Sequence, residues 1–187
     1  MQRFIVGSGR CGSTLLNNML AKHPDVAMFS EFFAAMDRTD WHRNEVLSGA
    51  QFSEFLSRSA PYGDIMIRRG RKEKELLADT EGLQTLPALF VGFMQPLSAT
   101  PELLYQELLA KAATFPAQRM AHQIVDLFDW LTQRLGKKNW VERSGPSIQH
   151  LPQLVSMYPD ARYVHIHRDG PEAALSMRCH QIGRAHV

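Results

Sequence analysis

Residues 7 to 14 read Gly7-Ser8-Gly9-Arg10-Cys11-Gly12-Ser13-Thr14. A short β-prone run, Phe4-Ile5-Val6, precedes them, and Leu15, Leu16, Met19 and Leu20 follow at helical spacing. A glycine-rich turn between a strand and a helix lets backbone N–H groups converge on an anion, and the helix N-terminus adds partial positive charge. The spacing is that of G-x-x-x-x-G-K-[ST], with Ser13 where the lysine would stand. A nucleoside triphosphatase or kinase uses that lysine against the β- and γ-phosphates. Here the fixed cation is Arg10. A cysteine in such a loop suggests a phosphatase nucleophile, but that chemistry wants an arginine six residues later, where this chain has Asn17. Cys11 is therefore read as a small loop residue.

The loop resembles the 5′-phosphosulfate-binding loop of sulfotransferases, usually G-x-x-R-S-G-T-T-L-L. A second motif agrees. Arg168-Asp169-Gly170-Pro171-Glu172-Ala173-Ala174-Leu175-Ser176 resembles the same family's 3′-phosphate motif, an arginine at a strand end and a serine eight residues on. His23-Pro24-Asp25 through Ser30-Glu31 resembles the H-P-D…E stretch of the branch that includes the protein-tyrosine sulfotransferases. Glu31 stands 21 residues after Arg10, the spacing of that branch's general base. Trp140-Val141-Glu142-Arg143-Ser144-Gly145-Pro146 resembles the W-x-x-K-[ST]-P segment. Three positions depart from the family pattern: Cys11 for Ser, Arg143 for Lys, and Gly170 for the Pro that often follows R-D.

The resemblance implies transfer of a sulfuryl group from 3′-phosphoadenylyl sulfate (PAPS) to a hydroxyl or amine, leaving adenosine 3′,5′-bisphosphate. It implies that Gly9, Arg10, Cys11, Gly12, Ser13 and Thr14 hold the 5′-phosphosulfate, and that Arg168 and Ser176 hold the 3′-phosphate. Arg10 and Arg143 then stabilise the leaving phosphate, and Glu31 accepts the acceptor's proton. The bland readings are a surface or structural carboxylate for Glu31, a salt bridge for Arg168 and a packing serine for Ser176. His165 and His167 read as core or sheet-edge histidines, and His122 and His150 stay unassigned. One of these histidines is the alternative base. No metal-ligand cluster is legible, and sulfuryl transfer needs none.

The elements that must position these residues alternate. Val26 to Phe29 is a candidate strand, and Glu102 to Ala113 a candidate helix. Met120, Ile124, Leu127, Phe128, Leu131 and Leu135 make an amphipathic helix that Gly136 ends. Asn139 to Glu142 reads as a strand, Ile148 to Met157 as a helix, and Ala161 to His167 as a strand. Asp169 is placed as N-cap of a last helix, with Glu172 three residues later. Strand–helix alternation predicts a three-layer αβα domain with a central, mostly parallel sheet. The resemblance makes this the P-loop nucleoside triphosphate hydrolase-like sulfotransferase fold. Residues 32 to 116 resist reading. Within them Arg68, Arg69, Arg71, Lys72 and Lys74 form a basic run, read as a solvated helix face or an acceptor-binding surface.

Hydrophobic residues at 44% and charged residues at 21% over 187 residues argue for one folded domain, 1–187, rather than a disordered chain. A net charge of +2 does not call for nucleic acid. Cys11 and Cys179 are far apart and outside any C-x-x-C pair, so reduced thiols in a cytoplasmic setting are expected. The apolar run begins at Phe4, so no signal peptide is expected. The stretch from Leu86 to Met94 is far too short to span a membrane. Nothing after the last helix closes the domain, so the fold is expected to be incomplete at the C-terminus. The partners implied are the nucleotide donor and an unidentified acceptor. The rival readings are a small-molecule kinase, which wants a lysine at position 13, and a non-catalytic nucleotide-binding fragment.

Overall fold

The computed structural model describes residues 1–36, 39–64, 82, 85–145 and 147–182. The basic run from Arg68 to Lys74 lies outside the described residues. Strand β1 (Arg3–Gly7) leads through the glycine loop into α1 (Ser13–Leu20), and β2 (Val26–Ser30) into the four-residue α2 (Phe32–Ala35). Then come β3 (Val46–Leu47), α3 (Gly49–Ser57), a π-helix over Leu89–Met94, α4 (Pro101–Ala113) and β4 (Gln118–Arg119). The amphipathic helix is α5 (Met120–Arg134). It is followed by β5 (Asn139–Arg143), α6 (Leu151–Met157), β6 (Arg162–Ile166) and α7 (Gly170–Ile182).

Four strands form one sheet in the order β2-β5-β1-β6, and every pair is parallel. Helices flank it, as the strand–helix alternation predicts. Parallel strands need crossovers, so all four carboxyl ends open on one edge of the sheet. Phe4, Ile5 and Val6 are all buried, which requires cover on both faces of β1.

The faces follow from register. Ile5, Arg143 and Ser30 are paired partners on neighbouring strands and share a face. Ser30 Oγ donates to Asn17 Oδ1 of α1 at 2.6 Å, so that face looks onto α1. The other face carries Phe4, Phe29 and Trp140 into an aromatic core with Phe32, Phe93 and Phe128. Glu142, paired with Phe4 and Phe29, points the same way.

Three findings were not legible in the sequence. The helical stretch from Ile148 is a 3-10 turn (Ser147–His150) before α6, because Pro152 sits in the first turn of the α-helix. The β3–β4 pair is an antiparallel ribbon of two residues per strand, too short to show alternation. The periodic apolar residues of α1 are not a buried stripe, since Leu15 is 67% and Met19 62% exposed. Val164, paired with Ile5 on the same face, is 52% exposed, so α1 leaves the β6 edge open.

Candidate functional site

The loop after β1 can receive an anion. Gly12 has φ 94°, a left-handed conformation that suits glycine, and its carbonyl accepts from Leu15 and Leu16 N–H to start α1. The backbone N–H groups of Gly9 to Thr14 have no acceptor among the described residues. Amide donors without acceptors at a helix N-terminus fit a phosphate or phosphosulfate. Buried Ser147 anchors the loop's start: its hydroxyl accepts from Gly7 N–H at 3.3 Å and donates to the Ile5 carbonyl at 3.4 Å.

Cys11 is buried, and its side chain lies beneath the loop. A Cβ on Gly7 would come within 2.6 Å of Cys11 Sγ and 3.0 Å of the Ile166 carbonyl oxygen. Glycine at position 7 is what lets the thiol pack there. What Cys11 can offer a ligand is therefore its N–H. Ser13 is buried and Thr14 exposed, and Arg10 is an exposed non-glycine residue at φ 55°.

Glu31, Arg143 and Thr14 form one connected group. Arg143, almost fully buried at the end of β5, donates through Nη1 to Glu31 Oε1 and through Nη2 to Thr14 Oγ1 at 2.5 Å. Its Nε is buried without a partner among the described residues. Glu31 follows β2 directly and has φ 67°. Its N–H donates to the Arg143 carbonyl at 2.9 Å, carrying the β2–β5 ladder one residue further. Its Oε2 accepts the Gly145 N–H at 3.3 Å. The π-helix lies against it, with a Cβ on Gly92 falling 4.0 Å from Glu31 Cβ.

Arg10 reaches the other way. Its Nε donates to Ser176 Oγ at 3.2 Å, tying the loop to α7. Arg168, just beyond β6, is bound to Glu172 (Nε to Oε2, 2.8 Å) on the exposed side of that helix. Asp169 Oδ1 accepts Glu172 N–H at 3.3 Å, so Asp169 caps α7 as its position predicts. The structure thus joins Glu31, Arg143 and Thr14 in one group and Arg10 with Ser176 in another. It does not bring Arg168 onto Ser176. His165 and His167 are exposed at the β6 edge.

Sequence reasoning gave no role to Ser144, Ser147, Gly145 or Glu142. Ser144 matches the [ST] of the segment it resembles, a signal that was there to follow. Glu142 is 1% exposed, and burial pushes its carboxyl up to about 8 despite the Ser144 hydroxyl bonded to it. Among the described residues no group of histidine, cysteine and carboxylate side chains is placed to hold a metal ion, and no helix is long and apolar enough to cross a membrane.

A four-stranded parallel sheet with an amide-lined loop at its carboxyl edge defines an α/β protein of the P-loop class. Within that class the assignment is specific: the model of the Sulfotransferase family matches residues 3–186, and the chain belongs to that family. Its fold is the P-loop sulfotransferase fold, and membership carries PAPS-dependent sulfuryl transfer with a donor and an acceptor substrate. The kinase reading falls with it. No curated protein and no solved structure matches the chain.

Proposed function

We propose that this sulfotransferase uses Glu31 as general base and Arg143 with Arg10 as the cations facing the leaving phosphate. The acceptor is a hydroxyl or amine, as in the branch whose H-P-D…E stretch this chain resembles. The observation that carries the reading is the Glu31–Arg143–Thr14 group. One carboxylate, one guanidinium and one loop hydroxyl are hydrogen-bonded together where β2, β5 and the loop converge.

The roles follow from placement. The N–H groups of Gly9 to Thr14 and the hydroxyls of Ser13 and Thr14 hold the 5′-phosphosulfate. Arg168 and Ser176 take the 3′-phosphate, with Arg168 turning off Glu172 to do so. The sulfur–oxygen bond to the 5′-phosphate breaks as the acceptor's oxygen or nitrogen bonds to sulfur from the opposite side. The acceptor's proton goes to Glu31. Negative charge grows on the departing phosphate oxygen beside the Arg143 guanidinium, which Glu31 and Thr14 already hold in place, and Arg10 turns from Ser176 to join it. The protein thereby supplies alignment and a charged frame, with no covalent intermediate. The free, buried Cys11 thiol fits a reducing, cytoplasmic setting.

The test uses the 187-residue chain with sulfur-labelled PAPS and four acceptor probes: p-nitrophenol, a tyrosyl peptide, a hexose and an alkyl amine. Label should pass to at least one, or to water as free sulfate. Glu31→Gln should lower that rate about 10²–10⁴-fold, the usual share of a general base. Calorimetry should show adenosine 3′,5′-bisphosphate bound no more weakly, because the variant removes no cation. Label passing to nothing would refute the reading, and near-normal turnover in Glu31→Gln would move the base to a histidine.

A further inference from the structure

Glu31 occupies the N-cap position of α2, where a side chain ordinarily accepts the first free amides of its own helix. It makes no such bond. Its left-handed backbone, φ 67° and ψ 17°, goes with a carboxylate that reaches Arg143 and Gly145 instead. The amides it forgoes are bonded elsewhere. Phe33 N–H and Ala34 N–H both donate to Ser144 Oγ, at 3.1 and 3.3 Å. Ser144 is 2% exposed, so no water is at hand to replace those bonds. The Ser144 hydroxyl in turn donates to Glu142 Oε1 at 2.5 Å. With its proton committed there, both lone pairs are left for the two amides.

We propose that Ser144 and Glu142 are positioning residues for the base: Ser144 caps α2 in place of Glu31, and Glu142 orients the Ser144 hydroxyl for that task. A left-handed glutamate is costly and persists only where its surroundings over-determine it. Here they do so on three sides. The Glu31 N–H is held by the Arg143 carbonyl, its own carbonyl by Ala35 N–H at 2.8 Å, and the amides of Phe33 and Ala34 by Ser144. Residues 142 to 145 therefore deliver both parts of the site in one stretch. Arg143 meets Glu31 from one face of β5, while Glu142 and Ser144 fix the backbone from which Glu31 projects. The inference rests on the reading of Glu31 as base.

The experiment is a cycle of Ser144→Ala and Glu31→Gln in the full chain, read by turnover of labelled PAPS with p-nitrophenol or water. Bisphosphate affinity and hydrogen exchange at Phe33 and Ala34 are measured alongside. Ser144→Ala should speed exchange at those two amides and slow turnover by about 10- to 100-fold, the scale of a misplaced catalytic group. Bisphosphate affinity should stay unchanged. Ser144→Thr, which keeps the hydroxyl, should recover most of the rate, and in the Glu31→Gln background Ser144→Ala should add no further loss. An equal loss in both backgrounds, or wild-type turnover in Ser144→Ala, overturns the positioning role. Wild-type turnover in Glu31→Gln alone overturns the base assignment, and the positioning role with it.

Discussion

Arg168 stands just beyond β6 with its guanidinium on Glu172, four residues along, and both side chains open to solvent. An exposed pair at this spacing stabilises the fold little, so it is easily exchanged for a stronger partner. A phosphate is such a partner, since it offers paired charge-assisted bonds. Arg168→Ala should weaken binding of adenosine 3′,5′-bisphosphate by about 1.5–3 kcal/mol. It should leave binding of adenosine 5′-phosphate nearly untouched. Equal losses for both ligands, measured by calorimetry, would show that Arg168 does not read the 3′-phosphate. Glu142 makes a different prediction, about stability. Its carboxyl is pushed from an ordinary value of 4.5 up to about 8, chiefly by burial and also by Glu31, against Ser144, Arg143 and the Phe33 amide. Tyr158, likewise buried and pushed up, faces it from the end of α6. The folded state thus holds this proton more tightly than the unfolded chain. The contribution is fully present below about 4.5 and is lost as pH rises to about 8. Glu142→Gln should flatten that part of the pH dependence in urea unfolding. An unchanged slope between those limits would mean that Glu142 titrates normally.

At the scale of elements, α3 shows how a sequence signal and a packing demand coincide. Ser48 and Gln51 form a reciprocal capping box that fixes where the helix begins. Gly49 follows because α3 meets the end of α4 closely. A Cβ there would fall 2.5 Å from the Phe115 carbonyl oxygen and 2.7 Å from those of Ala112 and Ala113. Backbone oxygens cannot rotate away as a side chain can. Gly49→Ala should therefore destabilise by about 1–3 kcal/mol, the range for overpacking, although alanine is the better helix former. A denaturant midpoint at or above that of the wild type would show that the two helices can separate without loss. Helix α2 makes the complementary point. Four residues with no side-chain cap of their own are held by Ser144, 110 positions away from Ala34.

For the whole molecule, the parallel order β2-β5-β1-β6 brings residues 31, 143, 7 and 168 to the same edge. The donor carries phosphate at both the 5′ and the 3′ position, so it should bridge the loop and α7, which the Arg10–Ser176 bond already joins. A ligand bound only by the folded state stabilises it by about 2.7 kcal/mol at one hundred times its Kd. Adenosine 3′,5′-bisphosphate should raise the Tm well above the value reached with the same concentration of ATP, which lacks the 3′-phosphate. Matching shifts would remove the case for two anion sites.

Local order along the chain determined a good part of this. Phe4-Ile5-Val6, the glycine loop and the Met120–Leu135 periodicity are short-range patterns, and β1, the loop and α5 stand where they predict. Parallel pairing followed from alternation, because a helical crossover carries the chain back to begin the next strand in the same direction. The family's motifs marked Arg10, Glu31, Arg143, Arg168 and Ser176 before any fold was known. Only the tertiary structure decided which of them meet. Arg143 joins Glu31 and Thr14, and Arg10 joins Ser176, across separations of more than one hundred residues that no local pattern encodes. It also decided that Leu15 and Met19 lie open to solvent, since a helical stripe reveals its period but not what covers it. And it placed Glu142 in the core, because alternation along a strand assigns faces only once the neighbouring strands are known.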